Sequence, residues 1–205
     1  IQLIGRNSNT QVRNNRIHNN SDNGTTTSTT YGIYSNSTTV DASTDVIIIA
    51  NNAIYNLNSN STTMYGITLQ GTAPASDNIR VWHNTIVLDR QVGTSVSVAG
   101  IHSSVTSVNT EIKNNNIYLN HNSTNTTLNA GLVFSSTTLT AGNPVSNYNN
   151  VFVGPNSPNG KFGRRGGTAN VWHLSAWQSN TGLDAASDSI DPELIDPFSG
   201  NLMPT

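Results

Sequence analysis

A short phrase returns five times along this chain, an asparagine set two residues ahead of an aliphatic side chain. It reads Asn14-Asn15-Arg16-Ile17, Asn51-Asn52-Ala53-Ile54, His83-Asn84-Thr85-Ile86, Asn114-Asn115-Asn116-Ile117 and Tyr148-Asn149-Asn150-Val151. The aliphatic positions lie 37, 32, 31 and 34 residues apart. At that period each repeat is one supersecondary unit that buries its apolar face by stacking on its neighbours. A second phrase keeps step: Tyr31-Gly32-Ile33, Tyr65-Gly66-Ile67, Ala99-Gly100-Ile101 and Ala130-Gly131-Leu132, spaced 34, 34 and 31. Two motifs sharing one period predict a solenoid.

The repeat overrides what composition alone would suggest. Only 34% of the 205 residues are hydrophobic and 10% charged, a mixture that ordinarily fails to bury enough apolar surface to fold. Here the apolar residues fall at strand spacing, as in Val46-Ile47-Ile48-Ile49 and Ile79-Arg80-Val81. Each coil needs few inward side chains when its neighbours cover it above and below. The expected inward sets are Ile47, Ile49 and Ile54, then Ile79, Val81 and Ile86, then Thr110, Ile112 and Ile117. The reading is an all-β parallel solenoid of three short strands per coil, with coils of about 31–37 residues. Coils are expected over 1–155, and a final coil with a capping segment over 156–205, in one continuous domain. The chain opens inside a repeat, which predicts a portion of a longer protein.

At the bends, Asn tolerates left-handed backbone and bonds its own chain. Identical amides repeating about every 4.8 Å can also bond to one another up the stack. Asn15, Asn52, Asn84, Asn115 and Asn149 are the predicted ladder. The connectors between coils are Asn-, Ser-, Thr- and Gly-rich and are expected to project from one edge.

These phrases resemble the secreted right-handed parallel β-helix proteins of the pectate-lyase-like superfamily. The stretch Trp172-His173-Leu174-Ser175-Ala176-Trp177, with Asp191-Pro192 and Asp196-Pro197, is similar to the closing segment of bacterial surface members. The resemblance implies an extracellular or cell-surface setting and polysaccharide or cell-surface glycan as partner. It leaves activity open, because members include lyases, hydrolases, adhesins and structural proteins.

Enzymes of that kind need a carboxylate cluster holding calcium, or paired carboxylates for hydrolysis. Before residue 155 the acidic residues are Asp22, Asp41, Asp45, Asp77, Asp89 and Glu111, and only Asp45 and Asp77 share a column in the repeat. Those two read as turn caps. No catalytic set emerges, calcium gains no support from a cluster, and the five histidines show no metal-ligand spacing. A net charge of −2 and an absence of cysteine argue against nucleic acid, thiol chemistry and disulfides. No apolar run reaches membrane-spanning length.

The chain therefore reads as a structural or adhesive module that contacts glycans, the rival being a polysaccharide lyase or hydrolase with part of its site outside this segment. The candidate contacts are Arg80, Trp82 and Lys113 on an outward strip, with Arg13 in the same column. Tyr55 and Tyr118 form a second candidate, within the outward column His18, Tyr55, Val87, Tyr118 and Phe152, the alternative being that connectors fold over this column and bury it. Arg80 and Glu111 are expected to be vertical neighbours forming a surface ion pair. Gly160–Gly167 reads as a flexible basic excursion, Leu174–Thr181 as a short helix over the last coil, and Trp172–Thr205 as a cap on the solenoid end.

Overall fold

The structure, a computed structural model, describes residues 1–19, 29–39, 44–59, 62–70, 78–89, 95–104, 109–135, 144–166, 171–197 and 199–204. The first coil is β1 (Gln2–Asn7), β2 (Gln11–Arg13) and β3 (Arg16–Ile17). Then come β4 (Thr30–Thr39), β5 (Ile47–Ala50) and β6 (Ala53–Ile54), followed by β7 (Thr63–Gln70), β8 (Ile79–Trp82) and β9 (Thr85–Leu88). The next coils are β10 (Ser97–Ser103), β11 (Thr110–Lys113) and β12 (Asn116–Leu119), then β13 (Asn129–Phe134), β14 (Val145–Asn147) and β15 (Asn150–Val153). Chain order closes with β16 (Lys161–Arg165), β17 (Val171–Trp172), helix α1 (Leu174–Thr181), β18 (Leu194–Asp196) and β19 (Asn201–Pro204).

Every third strand pairs in parallel. Sheet A runs β1-β4-β7-β10-β13-β16, with β17 antiparallel at its end; sheet B is β2-β5-β8-β11-β14 and sheet C is β3-β6-β9-β12-β15. The expected inward residues are those that are buried: Ile47, Ile49, Ile54, Val81, Ile86, Ile112 and Ile117 are fully enclosed, and Thr110 nearly so. Between them they fill one core that runs the length of the stack.

The two repeated phrases keep one period because they touch. A Cβ on Gly32 would lie 2.6 Å from Ile54 Cγ2, on Gly66 2.5 Å from Ile86 Cγ2, and on Gly100 2.5 Å from Ile117 Cγ2. The glycine of each coil thus gives room to the aliphatic residue of the same coil. At Gly66 the Cβ would also come within 2.7 Å of the Gly100 carbonyl oxygen. Gly66→Ala is therefore expected to destabilise by about 1–3 kcal/mol through overpacking against backbone that cannot yield, read as a fall in the urea midpoint. A midpoint equal to wild type would refute this account of the phrase.

At the B–C corner the two residues of each bend divide the work. The first, Asn14, Asn51, His83, Asn114 or Tyr148, takes φ between 54° and 58°. The second builds the ladder. Nδ2 of Asn15, Asn52, Asn84 and Asn115 donates to Oδ1 of the next coil's asparagine at 2.9, 2.9, 3.0 and 3.0 Å. The backbone N–H of each donates to the same oxygen. From Asn52 onward, Nδ2 also reaches back to a carbonyl of the preceding coil: Val12, Ile49, Val81 and Ile112 in turn.

This ladder has a direction, so its last member needs an acceptor that asks for nothing further. Asp184 supplies it: Oδ1 accepts from Asn149 Nδ2 at 3.0 Å, while Ser187 Oγ accepts the Asn149 N–H at 2.8 Å. Asp184 Oδ2 also takes the Trp177 indole N–H at 2.9 Å. Trp177, the buried residue of α1, packs against Phe134 and Phe162, so one carboxylate ties the ladder end to the helical cap. Of the expected flexible excursion Gly160–Gly167, the last residue lies outside the described residues and the rest departs from expectation. Lys161–Arg165 is the last parallel strand of sheet A, where a side chain on Gly163 would strike the Trp177 ring. Its glycine makes room for the cap and does not loosen the chain.

The closing segment also differs from a simple end cap. After α1 it returns along the outer side of sheet C. Asn150 and Ile190 exchange hydrogen bonds, and Arg16 Nη2 donates to Gly200 O at 2.8 Å. A strap thus links the last coil to the first.

Candidate functional site

Three outward faces result, each in a different state. On sheet B the register sets Arg80 beside Glu111, and Trp82 between Ala50 and Lys113. Arg80 Nε lies 3.4 Å from Glu111 Oε1, and Lys113 Nζ lies 3.1 Å from Glu111 Oε2. Glu111 therefore holds both cations of the strip, leaving one net positive charge beside the half-buried Trp82 face. Arg80 is further anchored by donation to Asn109 O at 2.6 Å. Arg13 shares the column but stands one coil beyond Ala50, away from Trp82.

On sheet C the outward aromatic column lies under the strap. His18 stacks on Tyr55 with centroids 4.8 Å apart, Arg16 sits over the same ring, and Gly200 lies against its far edge. Tyr55 is left 4% exposed and Val87 fully buried. Tyr55 is thus a buried contact for the strap and offers no open platform, a correction to the sequence expectation. Tyr118, paired with Phe152 at 5.6 Å, stays half-buried. Its phenol pKa is raised by burial first, then by Asp191 and Asp89 nearby.

Asp45 accepts from Ser8 Oγ at 2.7 Å and Asn9 Nδ2 at 3.1 Å in the coil before it, so it ties consecutive coils together. Asp77, its expected column mate, lies outside the described residues. Among the described residues no group of three His, Asp or Glu converges on one point, and no helix is long and apolar enough to cross a membrane.

The outer face of sheet A was not singled out by sequence reasoning. Its register stacks Tyr34, Thr68, His102, Val133 and Arg164 in one column, with Tyr31, Tyr65, Ala99, Ala130 and Lys161 beside it. Tyr65 stacks on His102 at 4.8 Å, and His102 Nε2 lies 3.0 Å from Ser135 Oγ. The signal was present: the residue following each Gly-Ile or Gly-Leu pair is Tyr34, Thr68, His102 and Val133.

A histidine against a serine hydroxyl is half of a nucleophile-activating arrangement, which also needs a group to orient the imidazole. Here Nδ1 is buried with no hydrogen-bond partner. Burial, and then the charge of Arg164, push the His102 pKa down to about 4. An imidazole shifted that way is a poor base for the Ser135 proton near neutral pH. The pair is no hydrolytic centre as it stands.

Comparison with protein-family models, curated proteins and solved structures finds no match to this chain, so its own geometry carries the functional argument.

Proposed function

We propose that the chain is an extracellular β-solenoid module, akin to the pectate-lyase-like proteins, that contacts polysaccharide through sheet B and catalyses no reaction itself. The observation carrying this reading is the pairing of the half-buried Trp82 face with the Arg80–Glu111–Lys113 triad on the next rung. An aromatic face packs on the apolar side of a sugar ring, while a charged triad offers donors and acceptors at fixed positions to its hydroxyls. Tyr118, beside Phe152 and still half-buried, provides a second, smaller aromatic contact.

Trp82→Ala should weaken retention on a bound polysaccharide by roughly tenfold, as expected for losing a partly desolvated aromatic contact. Glu111→Gln frees two cations and should strengthen retention on acidic polymers, with the gain vanishing at high salt. Retention is measured on polymer-coated resin, and the polymer is then assayed for new reducing or unsaturated ends. Equal retention of wild type and both variants on every polymer would discard the sheet B contact. New chain ends would favour the lyase or hydrolase.

A further inference from the structure

We propose that the outer face of sheet A holds an oxyanion-binding site whose donors are Arg164 and His102, with Ser135 and Tyr65 holding the His102 ring, taking a carboxylate or sulfate group as its ligand. That the group is carried on a sugar rests on the glycan-contacting reading above; the anion site itself does not.

The first ground is charge. None of the parallel strands of sheet A, β1, β4, β7, β10, β13 and β16, contains an Asp or Glu, whereas β16 carries Lys161, Arg164 and Arg165. In a chain of net charge −2 this face is locally cationic. Of the other cations, Arg80 and Lys113 meet Glu111, Arg16 donates to Gly200 O, and Arg165 lies over Trp172 and donates to Asn180 O, although its own Nε is likewise enclosed without an acceptor. Arg164 is half-buried, its Nε is enclosed with no acceptor, and it forms no ion pair among the described residues. An enclosed guanidinium N–H without an acceptor is unfavourable, and an anion that reaches it removes the deficit with a charge-assisted hydrogen bond.

The second ground is a separate orphan on the same face. His102 is 8% exposed and its Nδ1 has no partner. When Ser135 Oγ donates to Nε2, the proton of the neutral imidazole sits on Nδ1 and that nitrogen becomes a buried donor. Arg164 acts electrostatically on both His102 and Tyr65, and it shares the column of His102 on this face. His102 and Arg164 stand in one column with Val133 between them, so in that tautomer both present an unsatisfied donor on this face, and Ser135 beside His102 is exposed to solvent.

The test uses the intact chain and isothermal titration with sodium sulfate, glucuronate and glucose as probes. Sulfate and glucuronate should bind saturably and glucose should not. Arg164→Gln should lower the anion affinity at least tenfold, and Arg164→Lys should retain part of it, while Trp82→Ala should leave it unchanged. Melting curves establish that each variant is folded. In the histidine NMR spectrum, added sulfate should raise the His102 titration midpoint. Binding of sulfate but not glucuronate would narrow the site to free or ester sulfate. Failure of both anions to bind, equal binding of glucose, or undiminished binding by folded Arg164→Gln would overturn the proposal. Loss of polymer retention in Trp82→Ala with anion binding intact separates this site from the sheet B contact.

Discussion

Lowering the pH from about 6.5 to about 4 should remove on the order of 6 kcal/mol of stability, because two histidines are buried in neutral form. His121 is fully buried and its pKa falls to about 4, burial being the main cause and the Asn129 side chain a smaller opposing one. His102 falls to about 4 through burial and then Arg164. In the unfolded chain both return to about 6.5. Below that pH the unfolded state binds protons that the folded state refuses, so stability is complete above about 6.5 and declines as pH drops toward 4. Each group contributes roughly 3 kcal/mol at about 1.4 kcal/mol per pKa unit. The two side chains share no contact partner, His102 meeting Tyr65 and Ser135 while His121 meets Ser123 and Ser157, so their effects should add. Urea unfolding at pH 7.0 and 4.5 measures the fall. His102→Gln and His121→Gln should each flatten the profile by about half. A pH-independent urea midpoint would contradict the buried neutral state.

Asn84→Leu should cost about 4 kcal/mol and lower the melting temperature by roughly 10 °C. Asn84 is 1% exposed and sits in the middle of the ladder. Its Oδ1 accepts both the N–H and Nδ2 of Asn52, and its Nδ2 donates to Asn115 Oδ1 and Ile49 O. Leucine has a similar volume, so packing changes little, while these buried groups lose a partner with no water to replace it. Asn15→Leu provides the contrast, since Asn15 is half-buried at the start of the ladder, and about 1 kcal/mol is expected there. Should the two variants melt at the same temperature, the ladder would contribute nothing beyond an ordinary surface amide.

The coil was legible in the sequence wherever neighbouring residues alternate between core and outside. Ile79, Val81 and Ile86 had to point one way because strand geometry repeats every second residue, and the recurrent Asn-x-Ile phrase marked the corner. What stacks on what followed from the period, as with Arg80 beside Glu111. The structure also shows a contact that the phrases only hinted at, between the glycine of one sheet and the aliphatic residue of another. The end of the ladder was not legible, because Asp184 replaces the next asparagine outside any repeat of the phrase. Its role depends on the indole N–H of Trp177 and the amide of Asn149 meeting at one carboxylate.

By itself, the sequence determined the coil period, the inward side chains and the asparagine corner, since each depends on local spacing repeated along the chain. Tertiary structure decided which outward columns stay available. The strap reaches Arg16 from Gly200, 184 residues away, and buries Tyr55, while Glu111 draws Arg80 and Lys113 together on sheet B. On sheet A, His102 meets Ser135 33 residues on, and Arg164 Nε is left without an acceptor. An outward side chain answers to no periodic core. Its surroundings are set by whatever segment folds against it, and a returning segment without a repeat leaves no spacing to read.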